Sequence, residues 1–307
     1  MTLLRELAAL LIFPGGAFVL LLGLAYEWLH RKLLARMQNR VGPRWFQPLA
    51  DVVKLLSKEQ ILPEGVHRGL LIGLPLVALA GGLTAALYVP LGGLAPVYSF
   101  PGDLVVTLYL LSLLSICLAL AGANTLSRFA LVGATRTLTQ FFAYEAPFLL
   151  ALLGPAMVAG TWQISEIAAA RTAPWAVFTQ PIGFAIALIG LMGKLELPPF
   201  DAPEAETEIV AGALTEYSGR GLALFRLARQ VELAVGLALI AALYLGGGGG
   251  PLGFLLKTLA LLGLLTLLRV LLSRLRLDQT MSLWWRAGAL LALAQLLLVV
   301  VWKGALT

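Results

Sequence analysis

The chain has 307 residues, of which 60% are hydrophobic and 12% are charged, and its formal net charge is +6. Soluble domains carry about 25% charged residues. Together with a mean hydropathy of +0.90, this composition excludes a soluble globular fold. The positive charge is therefore not a sign of nucleic-acid binding, because in a membrane protein the distribution of basic residues between loops decides their meaning.

Apolar runs recur along the whole chain, and each is long enough to cross a ~30 Å hydrocarbon core as a helix. They predict an all-α, polytopic membrane protein whose residues 1–307 form a single integral membrane domain. The eight predicted spans, in chain order, are Leu7–Trp28, Leu70–Val89, Leu104–Gly122, Leu138–Gly160, Phe178–Leu197, Val231–Leu245, Leu252–Leu272 and Ala287–Trp302.

Basic residues alternate between the two sides of these spans. Eighteen of the 22 lysines and arginines fall in or beside the connections that follow spans one, three, five and seven. The positive-inside rule then predicts that both termini lie outside a cell (inner) membrane. The predicted cytoplasmic loops are 30–69, 123–137, 194–230 and 273–286.

The first of these loops contains an amphipathic segment. Residues 48–56 alternate apolar and polar side chains at roughly helical spacing. This pattern predicts a helix at the cytoplasmic surface, with its apolar face against lipid headgroups or against a partner protein. A simple anchor for the first two spans fits the same pattern.

The segment 194–229 is the strongest functional signal, because it concentrates carboxylates between two apolar runs. Acids beside a bilayer are costly unless they are paired, hydrated or used to move charge. The segment predicts a hydrated, carboxylate-lined funnel, while a solvated docking loop is the alternative. Its six acids, out of sixteen in the chain, are Glu196, Asp201, Glu204, Glu206, Glu208 and Glu216.

Two of these acids, Glu204 and Glu208, are four residues apart. A helix that begins after Pro203 would place them on one face, where like charges repel. The nearby arginines Arg220, Arg226 and Arg229 are candidates to compensate that charge.

Glu145 lies within the fourth predicted span. An ionised carboxylate there costs on the order of 3 kcal/mol, so it should face the bundle interior and be protonated or paired with a cation. A proton relay and a structural ion pair or packing hydrogen bond both satisfy this requirement. Glu27, Glu232 and Arg269, by contrast, lie near predicted span ends, where snorkelling anchors are expected.

The chain offers little with which to hold a cofactor. Its one cysteine, Cys117, is in an apolar run, and its two histidines, His30 and His67, are far apart. No Walker-type loop or dinucleotide-binding motif is present. Any redox group is therefore expected on partner subunits, and none in this chain.

Four motifs now identify a family. PPFDAPEAETEIVAGALTEYSGRGLALFRLA resembles the signature loop of the H-type membrane subunit shared by respiratory complex I and energy-converting membrane-bound [NiFe] hydrogenases. QNRVGPRWFQPLADVVKLLSKE, AYEAPF and RLRLDQTMSLWW resemble other parts of the same protein, in the same order. GPRWFQP and TEYSGRGLALFRLA are closer to the hydrogenase branch.

The resemblance implies a non-catalytic coupling subunit in an oxidoreductase complex that translocates H+ or Na+. Glu145, Glu204, Glu206, Glu208 and Glu216, together with Glu196 and Asp201, are the implied proton path. Lys194 and Glu196 stand where the complex I branch typically carries an acid and an arginine. The implied docking or quinone-cleft side consists of Arg36, Arg40, Gln47, Asp51, Lys54, Tyr217 and Arg220.

The implied partners are hydrophilic-arm subunits with Fe-S clusters, a large catalytic subunit with a possible [NiFe] centre, small membrane subunits, antiporter-like subunits and lipid. Three alternatives stay open. One is the H-type, quinone-site-forming subunit of an NADH- or ferredoxin-dependent enzyme related to complex I. The second is a passive anchor for a soluble oxidoreductase. The third is an independent transporter, which the lack of paired broken helices in the two halves disfavours.

Overall fold

The computed structural model describes residues 9–170, 175–247 and 249–304, and these residues form helices and the loops between them, with no strand. We number the helices in chain order. They are α1 Gly16–Met37, α2 Gln47–Ser57, α3 Arg68–Ala86, α4 Asp103–Ala123, α5 Arg128–Ala159, α6 Ile164–Ala169, α7 Ala176–Thr179, α8 Pro181–Lys194, α9 Glu206–Ile209, α10 Gly219–Tyr244, α11 Gly250–Leu271, α12 Leu277–Leu283 and α13 Ala289–Gly304.

Seven helical segments in the described residues are long and apolar enough to cross a membrane. They correspond to seven of the eight predicted spans. The remaining one, α8, has only 14 residues, which extend about 21 Å and so fall short of a ~30 Å core. The prediction of an all-α polytopic membrane protein is confirmed, with α8 as a shorter apolar helix.

Three helices continue past the ends of their apolar runs. α1 reaches Met37 instead of Trp28, α5 begins at Arg128 instead of Leu138, and α10 begins at Gly219 instead of Val231. Hydropathy marks where side chains suit lipid, whereas a helix continues wherever other protein segments or water satisfy its polar side chains. All three extensions lie at the same end of the bundle, which we call the basic end.

α10 is the central helix, and 89% of its most apolar stretch is buried inside the chain. A helix that is apolar on all sides is expected to be buried, and α10 packs against α1, α2, α3 and α11. Glycines permit the close approach: Gly23 of α1 faces the backbone of Gln230, and Gly236 of α10 faces Leu191. This packing brings the start of α10 beside the ends of α1 and α8.

The predicted amphipathic helix is α2. Its residues Val52 and Leu55 are buried, and the helix packs against α10 and α1. Leu49, Val53 and Leu56 on another side of the helix remain exposed. That exposed apolar face is available to lipid or to a partner, and its position at a membrane surface remains a prediction.

Candidate functional site

A buried ion pair lies inside the bundle, where α8 ends against α5. Lys194 Nζ is 2.9 Å from Glu145 Oε2 and 3.2 Å from Ser112 Oγ, and the Ser112 hydroxyl donates to the other Glu145 oxygen. The Lys194 side chain is fully buried and that of Glu145 is 13% exposed. The rings of Phe141, Tyr144 and Phe148 surround the ammonium group at 5.5 to 5.9 Å, where their faces attract a cation.

A second cluster lies toward the basic end and centres on Arg229 of α10. Its guanidinium group donates to Glu196 Oε2 at 2.6 Å and to Glu204 Oε1 at 2.5 Å. Thr137 of α5 donates to the second Glu196 oxygen at 3.3 Å. Burial raises the pKa of Glu196 to about 7, against the opposing effect of Arg229. This carboxyl group is thus able to gain and lose a proton near neutral pH.

Glu232 lies within electrostatic reach of both clusters. It is 1% exposed, and neither of its carboxyl oxygens has a hydrogen-bond partner among the described residues. The charges that act on it come from Lys194 and Arg229 and from the acids Glu145 and Glu196. The sequence-based expectation that Glu232 snorkels as an anchor is therefore wrong, because α10 is surrounded by protein at this level.

The charges of this region do not balance. Four carboxyl groups, from Glu145, Glu196, Glu204 and Glu232, accompany three cations, Lys194, Arg229 and Arg269. Because ionised groups of like sign repel strongly away from water, the region favours retaining a proton on at least one of its acids.

A cavity of about 380 Å³ opens beside the second cluster. Its wall carries acids and arginines together, so it is polar enough to hold water. The charged residues of the wall are Glu196, Asp201, Glu204, Arg229, Arg269 and Arg274.

At the edge of this cavity, Glu208 pairs with Arg136 at 2.6 Å and with Arg274 at 3.4 Å. The Arg136 hydrogen bond and the Arg274 charge lower the pKa of the Glu208 carboxyl group. Arg274 is also 3.4 Å from Asp201. The expected helix after Pro203 is absent, because α9 begins only at Glu206. Glu204 and Glu208 therefore contact different arginines instead of sharing one helix face.

The structure thus brings together most of the predicted acids. Glu145, Glu196, Asp201, Glu204 and Glu208 all lie in the two clusters or at the cavity edge. Glu216 lies apart and is partly exposed. Glu206 is the first residue of α9, and its side chain is outside the described part of the structure. Of the three arginines expected to compensate, Arg229 pairs with acids, whereas Arg220 and Arg226 are exposed.

The residues predicted for docking separate into two groups. The first is exposed at the basic end and consists of Arg36, Arg40, Lys54 and Arg220. In the second group, Gln47 donates to Asp51 at 3.0 Å, and Asp51 also pairs with Arg31 at 3.2 Å. Tyr217 is buried against Phe225, and burial raises its pKa to about 12. Tyr217 therefore supports the loop from inside.

Sequence reasoning missed Lys194 and Glu232 as members of the site. Lys194 was expected in a cytoplasmic loop, but it ends α8 with its side chain directed into the bundle. The available signal was their position: each is a charged residue within one turn of a long apolar run. Among the described residues, no group of three or more metal-ligating side chains could hold a metal ion.

Comparison with solved structures supports the fold. The chain superposes with a TM-score of 0.86 on a chain from the structure of a membrane-bound sulfane sulfur reductase, an archaeal respiratory membrane complex. The match covers 97% of this chain and 99% of that one, at 22% sequence identity. At this identity the likeness concerns the fold alone.

Comparison with characterised sequences supports the family. The H subunit of NADH-quinone oxidoreductase from Dehalococcoides mccartyi (strain 195) is 35% identical over 292 residues, which cover 92% of this chain and 82% of that protein. The H 2 subunit of NADH-quinone oxidoreductase from Syntrophobacter fumaroxidans is 37% identical over 305 residues and 92% of each chain. The family model described as NADH dehydrogenase matches residues 9–300. The chain therefore belongs to the NADH dehydrogenase family and is a homologue of the H subunit of NADH-quinone oxidoreductase.

Proposed function

We propose that this chain is the membrane subunit that docks the electron-transfer arm of a respiratory complex and couples electron transfer to the translocation of H+ or Na+. Its relatives among the H subunits of NADH-quinone oxidoreductases support a place in such a complex. The observation that carries the coupling role is the series of acids from the cavity to the bundle interior. A protein that served only as an anchor would have no use for it.

The proposed path begins at the cavity, with Asp201 and Glu204, and continues through Glu196 and Glu232 to Glu145. Arg229 and Lys194 hold the two ends of the buried part by direct ion pairs. Because the acids outnumber the cations, a proton shared among them is able to move without creating an additional net charge. A change of charge at the cavity mouth then alters the proton affinity of the buried acids through a low-dielectric interior.

The proposed docking side is the basic end. Exposed arginines and Lys54 provide positive charge there, and the exposed face of α2 provides apolar surface. Such a combination suits a hydrophilic-arm subunit with an acidic and partly apolar contact surface. We assign Fe-S clusters and the catalytic centre to partner subunits, and further contacts of the spans to small membrane and antiporter-like subunits.

Two kinds of complex fit this role. The loop motifs GPRWFQP and TEYSGRGLALFRLA favour a membrane-bound energy-converting [NiFe] hydrogenase. The names of the sequence relatives favour a quinone reductase, in which the basic end would border the quinone site. Sequencing the large subunit that co-purifies with this chain separates them. Nickel-ligating cysteine pairs indicate the hydrogenase, and bound quinone without those cysteines indicates the reductase.

The coupling role is tested with Glu145→Gln and Glu232→Gln in the purified complex, reconstituted into liposomes. Each substitution removes a proton-carrying group, so we expect ions translocated per electron to fall at least about tenfold while electron transfer continues. Glu166→Gln is the matched control, since Glu166 is exposed and bonded to Thr161 at 2.6 Å outside both clusters. Unchanged ion translocation in both test variants would contradict the coupling role and favour the passive anchor.

A further inference from the structure

His30 joins α1 to α11 through two hydrogen bonds, of which the one to Thr266 is buried and the one to Arg269 is partly buried. The side chain is 2% exposed. Its Nδ1 lies 2.9 Å from Thr266 Oγ1, and its Nε2 lies 2.6 Å from Arg269 Nη1. Sequence reasoning gave His30 no role and expected Arg269 to snorkel as an anchor, whereas the structure places the two side chains in direct contact.

These contacts determine which nitrogen of His30 carries the hydrogen. A guanidinium group only donates, so Nε2 must accept, and the hydrogen of a neutral ring is then on Nδ1. Nδ1 donates to Thr266 Oγ1, whose own hydrogen goes to the Leu262 carbonyl oxygen at 2.7 Å. Each hydrogen in these three bonds has its own acceptor, and His30 is uncharged.

An uncharged partner makes Arg269 different from its neighbours in the cavity wall. Arg229 and Arg274 each lie within 4 Å of two carboxylates. Among the side chains that the structure describes, no carboxylate lies that close to Arg269. The carboxylates whose charges reach it are Glu27, Asp201 and Glu204, and Glu27 is already paired with Arg31 at 2.5 Å.

We propose that His30 is a positioning residue that holds Arg269 on the cavity wall without neutralising its charge. The guanidinium group then adds positive charge beside Asp201 and Glu204, which are already paired with Arg274 and Arg229, yet forms a direct ion pair with neither. This inference rests on the proposed coupling function. Without His30, Arg269 turns toward one of these carboxylates and gives it a second direct ion pair in addition to Arg229 or Arg274, which opposes the transfer of a proton onto that carboxylate.

Three substitutions of His30 separate positioning from packing. His30→Gln can place an amide oxygen near the position of Nε2, so it retains an acceptor for Arg269. His30→Asn is shorter and reaches only toward Thr266, and His30→Phe retains neither hydrogen bond. In the reconstituted complex we expect a roughly two- to tenfold loss of ions per electron in the Asn and Phe variants. The Gln variant should recover most of the loss.

Tyr26→Phe is the matched control. Tyr26 joins the same two helices by a bond of 2.7 Å to Thr258, one turn before His30, and among the described residues its hydroxyl group has no hydrogen bond to an arginine. It should leave ions per electron unchanged. A loss equal to that of His30→Phe would assign both residues to helix packing and overturn the proposal.

A double-mutant cycle with Arg269→Gln completes the test. If His30 acts through Arg269, the double variant with His30→Phe should be no worse than Arg269→Gln alone. Additive losses, or equal defects in the Asn and Gln variants, would contradict the proposal. When the His30 variants give either of these contradicting results but Glu145→Gln and Glu232→Gln still uncouple the complex, only the positioning role of His30 fails. When Glu145→Gln and Glu232→Gln leave ions per electron unchanged as well, the proposed coupling function fails together with the positioning role.

Discussion

Helix α5 contributes one residue to each of two ion pairs, one exposed to solvent and one buried in the bundle. Arg136 of α5 pairs with Glu208, and these side chains are 26% and 50% exposed. Glu145, further along α5, pairs with Lys194, and these side chains are 13% and 0% exposed. In water a salt bridge contributes little to stability, whereas a buried charge that loses its partner is strongly destabilising. The exposed pair Arg136–Glu208 therefore holds a loop in place, whereas the buried pair Glu145–Lys194 is part of a network of buried charges.

The difference also separates what each pair can do. Glu208 is kept ionised by its two arginines, as its lowered pKa indicates. The inner region has more acids than cations, so protons are able to redistribute within it. The outer pair is thus suited to shaping the cavity edge, and the inner pair to a path for protons.

The largest effect should come from Lys194→Met. This change leaves Glu145 and Glu232 without their nearest ammonium charge, which we expect to cost about 3 to 5 kcal/mol. The measurement is the fraction of assembled complex and its thermal midpoint. Combining Lys194→Met with Glu145→Gln removes both charges of the pair and should restore much of the loss. If the single and double variants were equally unstable, the loss would not come from leaving the buried Glu145 carboxylate without its cation.

The next effect is a pH dependence that differs in sign between Glu196 and Glu208. The folded pKa of Glu196 is raised from 4.5 to about 7. Its contribution to stability is therefore complete below pH 4.5 and is lost as the pH rises to about 7. The folded pKa of Glu208 is lowered, so its contribution is present above pH 4.5 and is lost as the pH falls through its folded pKa.

Glutamine substitutions test these signs. Relative to the unmodified chain, the thermal midpoint of Glu196→Gln should rise between pH 5 and pH 8. That of Glu208→Gln should fall as the pH rises through the acid range toward pH 5 and then stay level. If the curves of thermal midpoint against pH were parallel for the two variants, the two carboxyl groups would have the same environment. This result would contradict the proposed difference between the buried and the exposed ion pairs.

The smallest effect should come from Arg136→Gln. Because Glu208 keeps Arg274 and both partners are solvated, we expect the thermal midpoint to change by less than about 2 °C. Ions per electron should remain unchanged. Arg128→Gln is a control on the same helix end. If Arg136→Gln lowered the thermal midpoint as much as Lys194→Met, the pair Arg136–Glu208 would belong to the buried charge network.

Several features followed from local sequence alone. The apolar runs predicted the seven long apolar helices and the shorter α8, the alternation in residues 48–56 predicted α2, and the carboxylates of 194–229 include most acids of the candidate site. The family and the membrane subunit of a redox-driven complex were also predicted correctly from four motifs. The side of the membrane on which the termini lie remains a prediction.

The wrong expectations concerned burial and pairing. Glu232 and Lys194 were treated as groups at a membrane surface, yet α10 and α8 place them inside. Their environment depends on helices distant in the sequence, as does the contact of His30 with Arg269. No local pattern specifies which helix covers another.

The sequence by itself determined that this chain is a bundle of apolar helices interrupted by a charged segment, because hydropathy and helix formation depend on neighbouring residues. Only the tertiary structure decided which acids lose water and which cations accompany them. Those pairings join residues 145 and 194, 196 and 229, and 30 and 269. Their strength depends on burial, which arises only when the helices pack.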